Sequence, residues 1–391
     1  TESKEPIQID QTAPVIQVNY DSQIPANGKY YRKPRTATVS IQERNFDEKN
    51  VIFQAESTDG KQPVAGKWVR QQTDQNTDRT TYTCSVVFQE DGEYTFSLRC
   101  KDKAGNQEVY ESKEAFVVDQ TAPVIRVAYE EQKTRQPGYY REPRKAEVTV
   151  CERNFRSDDV MIRMTASLDG KEQKVPEIGM FAEKIADLGS IFQNQKNVTA
   201  DLHSTTIVYG EDGDYTFDIA YTDLAGNVAE DYQEDHFTID KTSPTVEILG
   251  VEDQSANRGT VAPQIRYQDR NYEEEDVRIE LNGYHRGKVP VEGQKTEIVN
   301  GQHIQLPDFA WVQEQDDLYT LTVHMTDKAG NETKKEIVFS VNRFGSVYTF
   351  SESTRNLVQK YYTDQPGEIK VTEINIDTLQ TREVSYGRNG E

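Results

Sequence analysis

The chain has 391 residues, of which 35% are hydrophobic and 29% charged, and its formal net charge is −22. Such a polyanion is repelled by nucleic-acid phosphates and anionic lipid, which excludes both as partners. No run approaches 18 apolar residues, which excludes a membrane-spanning helix, and the modest apolar content suits several small domains with much surface per core.

Residues 1–9, with Pro6-Ile7-Gln8-Ile9, read as the last strand of a preceding repeat. The same slot later holds Phe116-Val117-Val118 and Phe237-Thr238-Ile239. Asp10-Gln11-Thr12-Ala13-Pro14 follows, and the phrase returns as Asp119-Gln120-Thr121-Ala122-Pro123 and Asp240-Lys241-Thr242-Ser243-Pro244. Each copy is answered downstream by Asp-x-Ala-Gly-Asn, at Asp102–Asn106, Asp223–Asn227 and Asp327–Asn331. Spacings of 109 and 121 residues between the opening phrases are too long for a solenoid, so each unit has its own core. The boundaries this gives are 10–118, 119–239 and 240–342, with 343–391 as the start of a fourth, incomplete module.

Within a repeat, an apolar run (Val15–Val18, Val124–Val127) leads through a polar turn to Tyr30-Tyr31-Arg32-Lys33-Pro34-Arg35 or Tyr139-Tyr140-Arg141-Glu142-Pro143-Arg144. A strand with period-2 alternation follows, carrying Ala37, Val39 and Ile41 or Ala146, Val148 and Val150. It ends in Glu43-Arg44-Asn45-Phe46, Glu152-Arg153-Asn154-Phe155 or, in the third copy, Asp269-Arg270-Asn271-Tyr272. Repeat two carries an insertion at about 171–203, where Phe181, Ile185, Leu188 and Phe192 are spaced for one helical face. This predicts a short helix or structured loop capping one end. Later come Asp91-Gly92-Glu93-Tyr94, Asp212-Gly213-Asp214-Tyr215 and Asp316-Asp317-Leu318-Tyr319, each opening an alternating strand. Beyond residue 342, the pattern predicts a helical turn at 351–362 and paired strands at 368–376 and 380–386.

About seven short strands in some 110 residues, with turns every 8–12, predict an all-β fold of tandem Ig-like β-sandwiches in an elongated array. The Asp-x-x-Tyr phrase resembles the tyrosine corner of such sandwiches, with Phe96 and Phe217 where antibody domains place the inter-sheet cysteine. Taken together, the phrases resemble the bacterial Ig-like repeats of large Gram-positive cell-surface and secreted proteins, over roughly residues 1–342. The resemblance implies an extracellular, surface-associated or secreted protein. Its functions divide among a spacer or adhesive array, specific binding of a host protein such as an immunoglobulin or mucin-like glycoprotein, and accessory modules of a carbohydrate-active enzyme. The array is expected to be monomeric.

The topology brings three oxygen-rich segments together at the N-terminal end of each sandwich. They carry Asp10, Glu43, Asp102 and Asn106 in repeat one, Asp119, Glu152, Asp223 and Asn227 in repeat two, and Asp240, Asp269, Asp327 and Asn331 in repeat three. Two readings stand. One is tight turns whose acids are neutralised by Arg44, Arg153 and Arg270. The other is calcium, which takes six to eight oxygen ligands. Tyr30, Tyr31, Arg32, Arg35, Tyr139, Tyr140, Arg141 and Arg144 are expected at the opposite end, as a charged joint facing the next repeat or as an aromatic-basic ligand patch. Phe181, Ile185, Leu188 and Phe192 mark the insertion as a candidate contact surface. Cys84 and Cys100 are candidates for a disulfide, while Cys151 has no partner in its repeat. His203, His236, His285, His303 and His324 are scattered and form no recurring pair with Ser or Cys, and no glycine-rich phosphate loop occurs, so a non-catalytic role is expected.

Overall fold

The computed structural model describes residues 9–57, 60–184, 202–358, 368–379 and 381–384. Three β-sandwiches follow one another along the chain. In the first, one sheet joins Val15–Tyr20, Arg35–Glu43, Arg79–Phe88, Val64–Ala65 and Val69–Asp74. The facing sheet joins Tyr30–Tyr31, Phe116–Val118, Gly92–Lys101, Val51–Ser57 and Gln107–Glu111. The pattern recurs over Val124–Ile239 and over Thr245–Val341.

The alternation read from sequence sets the register. Ala37, Val39 and Ile41 point inward from Arg35–Glu43 and are fully buried, and Ala146, Val148 and Val150 do the same in the second sandwich. Strand one of each unit pairs antiparallel with the strand carrying these residues. The chain then crosses sheets, so that Tyr30–Tyr31 and Tyr139–Tyr140 pair in parallel with the last strand of the opposite sheet. Ser255–Asn257 makes the same crossing without the Tyr-Tyr-Arg phrase.

Aromatic packing closes the cores where antibody domains use a disulfide. Phe96 and Phe217 are buried, and Phe88 meets Phe96 edge-on at 5.6 Å between ring centroids. The tyrosine corners are formed in all three units. Tyr94, Tyr215 and Tyr319 donate to the carbonyls of Glu90, Glu211 and Gln315, each four residues upstream, at 2.8, 2.9 and 2.8 Å.

Three expectations are revised. Cys84 and Cys100 are free and buried, and so is Cys151. Cys84 lies opposite Val39 in one sheet and Cys100 opposite Val51 in the other. The Cys84 thiol donates instead to the carbonyl of Gly66 at 3.3 Å. In the insertion, Phe181 is followed by strand Ala182–Lys184, not a helical turn, while Ile185, Leu188 and Phe192 lie outside the described residues. Near the C-terminus helix Glu352–Val358 is present and Val371–Ile374 pairs with Val347–Phe350, while 380, 385 and 386 of the expected partner strand lie outside the described residues. Residues 1–8 lie outside the described residues.

Candidate functional site: the carboxylate joints

Each sandwich begins with a linker whose Asp meets two loops of its own domain. In the first, Arg35–Glu43 delivers Glu43, and Gly92–Lys101 delivers Asp102, both buried. Among the described residues three acidic triads bring one oxygen apiece within 4.8 Å of each other: Asp10/Glu43/Asp102, Asp119/Glu152/Asp223 and Asp240/Asp269/Asp327.

The two sequence phrases build this geometry. In Asp-x-Ala-Gly-Asn, the Asp102 carboxylate accepts from the backbone N–H of Gly105 at 2.6 Å and of Asn106 at 2.9 Å. The turn requires left-handed backbone at its glycine, with φ of 103°, 87° and 94° at Gly105, Gly226 and Gly330. The Asn side chain then reaches both ways. Asn227 Nδ2 donates to Asp223 Oδ2 at 2.8 Å and to the Asp119 carbonyl at 2.9 Å, and Asn106 and Asn331 repeat this on Asp10 and Asp240. From the other loop, Asn45, Asn154 and Asn271 donate to Asp10, Asp119 and Asp240 at 2.7, 2.9 and 2.5 Å. The same Asn residues cap Glu43, Glu152 and Asp269 through their backbone N–H.

Burial sets the electrostatics. It pushes Glu152 up to about 7 and Asp119 to about 6, with the neighbouring carboxylates adding to the rise. Asp269 is likewise pushed to about 6, and Asp223 and Asp327 are raised by burial despite their Asn and backbone donors. Asp10 differs, because the hydrogen bonds from Thr12 lower it. Glu43 Oε2 is buried without a hydrogen-bond partner.

Two of the arginines expected to neutralise the triads, Arg44 and Arg270, make their ion pairs elsewhere, while the charge of each still acts to lower a triad acid, Asp10 or Asp269. Arg44 pairs with Asp78 at 3.3 Å and donates to Thr77 O, and Arg270 pairs with Asp214 of the preceding sandwich at 2.8 Å. The joint phrase also divides. Arg32 reaches the next repeat at Gly226 O, 3.3 Å away. Arg35 instead stacks on Tyr20, Tyr31 and Phe116 of its own domain, and Arg144 on Tyr129, Tyr140 and Phe237. Arg141 is exposed. Its expected role falls to Arg135, which donates to Asp327 O at 2.7 Å and pairs with Asp276.

A second set of acids was not singled out as a site from sequence. Asp91 accepts from Gln120 N–H at 3.0 Å and from the Thr121 hydroxyl at 2.6 Å, and Asp212 holds Lys241 N–H and the Thr242 hydroxyl at 3.0 and 2.6 Å. The Asp-x-Thr phrase is therefore bound on both sides. Its Asp belongs to the following sandwich and its Thr to the turn of the preceding one. The fourth joint keeps the frame with other residues: Asn342 replaces the Asp and donates to Asp377 at 2.7 Å. Arg343 is locked against Asp308 at 2.7 Å and stacks on Trp311.

Sandwiches of this topology with tyrosine corners define tandem immunoglobulin-like modules. The chain belongs to the bacterial Ig-like domain family (group 3), whose model matches residues 78–152 and 206–342. No curated protein matches the sequence. Among solved structures it is similar to an ICAM-5 D1–D4 ectodomain fragment, at 8% identity and TM-score 0.37, covering 87% of this chain and 80% of that one. It is also similar to the titin Ig tandem A164–A165, at 14% identity and TM-score 0.23, covering 56% and 96%. A third is dimeric latent PorU from Porphyromonas gingivalis, at 13% identity and TM-score 0.19, covering 86% and 34%. Likenesses this distant carry no argument about what the chain does. Among the described residues no helix is long and apolar enough to cross a membrane.

Proposed function

We propose that this chain is a non-catalytic spacer in a bacterial cell-surface or secreted protein, an array of Ig-like sandwiches whose braced joints hold calcium and present binding surfaces at a distance. The supporting observation is the double grip on each linker. Thr121 and Thr242 are held by the domain behind, while Asp119 and Asp240 are held by the domain ahead. A linker bonded on both sides loses the freedom that otherwise lets neighbouring domains swing.

The donor set suits calcium. Hard carboxylate oxygens converge, Glu43 Oε2 is buried without a partner, and burial lifts Glu152 to about 7 and Asp119 to about 6, so that Glu152 is about half protonated at neutral pH. A divalent cation would replace those protons and hold the linker, the loop after the second strand and the Asp-x-Ala-Gly-Asn turn to one centre.

Small-angle scattering and melting in EDTA and in millimolar calcium test the reading. Calcium should raise both the maximum dimension and the melting temperature. A particle already elongated in EDTA and unmoved by calcium would leave the bracing and remove the ion. A compact or broadly flexible particle in both would remove the spacer as well.

A further inference from the structure

The open edge between the two sheets is closed differently in the third sandwich. In the first, Trp68 comes immediately before Val69, which pairs with Thr83, and Thr83 pairs with Ser40, three residues before Glu43. In the second, Phe181 comes immediately before Ala182, paired through Ser204 to Thr149, three residues before Glu152. The same ladder in the third runs from Thr296 through His303 to Arg266, three residues before Asp269, and puts Lys295 in the aromatic position.

The two aromatics do the same job. Trp68 lies 5.1 Å from Phe46 and stacks on Phe53, and Phe181 lies 5.2 Å from Phe155 and packs, as Val160 does, against the buried cluster of Val150, Tyr221 and Ala229. Each plugs the gap beside the strand that follows the Arg-Asn phrase. Lys295 does not: its ammonium pairs with Glu274 at 2.5 Å, at the rim of the slot. Behind it a cavity of about 820 Å³ remains, floored by Val277, Ile279, Ile304 and Leu306. Val277 and Ile279 are the counterparts of Val51 and Phe53, since they pair with Met325 and Val323 as those pair with Cys100 and Leu98. The size is that of a ligand site, and the walls are those that accept an aromatic ring in the sister domains.

We propose that this slot takes an aromatic side chain presented by an extended, basic segment of a protein partner. Three observations select that occupant. The sister sandwiches fill the slot with a protein aromatic from an adjoining strand. Gln294–Ile298 is the edge strand of its sheet, so its outer side can pair with an added strand. The rim carries Glu274 and the exposed Glu292 against the single cation Lys295, in a chain of net charge −22, which favours a positively charged segment.

The test uses the whole chain and a Lys-Trp-Lys peptide amide labelled with 5-fluorotryptophan, observed by fluorine NMR. The peptide signal should shift and broaden saturably. Unlabelled Lys-Ala-Lys should not compete, and Glu-Trp-Glu should compete at least tenfold more weakly. Lys295→Trp, which supplies the plug of the first sandwich, should abolish binding and raise the melting temperature, whereas Lys295→Ala should keep the cavity and bind. Absence of binding to the native chain, or equal binding by the Lys295→Trp chain, overturns the proposal. Competition by free tryptamine as strong as by the peptide would make the slot a small-molecule site and overturn the protein partner.

Discussion

The second joint makes a pH prediction opposite to that of an ordinary salt-bridged protein. Burial raises Glu152 from 4.5 to about 7 and Asp119 from 3.8 to about 6. Without a cation, the folded joint therefore binds protons that the unfolded chain releases above pH 4–5. Stability is full below the unfolded values and is lost as pH rises through 6 and 7. At ~1.4 kcal/mol per pKa unit, moving from pH 7.5 to pH 5 should stabilise the second sandwich by roughly 2–4 kcal/mol, the lower figure applying where the two acids share one proton. Amide exchange in EDTA, read on peptides from the core strands Leu202–Tyr209 and Gly213–Tyr221, isolates this sandwich from its neighbours. Glu152→Gln should flatten the dependence and, in EDTA at pH 7.5, protect the domain better than the native residue. If protection instead rises with pH, or Glu152→Gln weakens the domain in EDTA at pH 7.5, the electrostatic account of the joint is wrong.

Other outcomes follow from single contacts. Thr121→Val removes the hydroxyl that Asp91 holds at 2.6 Å. It should cost about 1 kcal/mol of joint closure, seen as a broader distance distribution between spin labels on the first two sandwiches, with each domain's melting unchanged. Asp317 is fully buried and accepts from the backbone N–H groups of His285, Arg286 and Leu318 at 2.9 Å each. Asp317→Ala should destabilise the third sandwich by about 2–4 kcal/mol in chemical denaturation followed at Trp311. Burial alone would raise this acid, but the bonds from Arg286 and His285 outweigh it and hold its pKa low. Its contribution is thus present at neutral pH and lost as pH falls below about 4, opposite in sign to the second joint.

The fold was largely legible because its signals are local. Period-2 runs such as Ala37-Val39-Ile41, the glycine of Asp-x-Ala-Gly-Asn, and the tyrosine after Asp91-Gly92 each fix a strand or turn within a few residues. The convergence of Asp119, Glu152 and Asp223 followed from strand direction alone. Partners were much less legible. That Arg44 pairs with Asp78, that Arg35 stacks inward, and that Arg135 rather than Arg141 reaches the next domain depend on side-chain reach over 4 to 192 residues, which no spacing encodes. Asp91 and Asp212 were visible only as parts of the corner phrase, because their bonding partners lie beyond the domain boundary. Lys295 could have been found from sequence only by aligning the edge strands, whose loops differ in length among the repeats.

The most direct measurement is calorimetric titration of the metal-free chain with calcium at pH 7.5, alongside the Asp102→Asn, Asp223→Asn and Asp327→Asn chains. The account predicts three sites in the native chain and the loss of one with each substitution, with protons released at the second joint, where burial raises Glu152 to about 7. No saturable heat, or binding unchanged by all three substitutions, would contradict it.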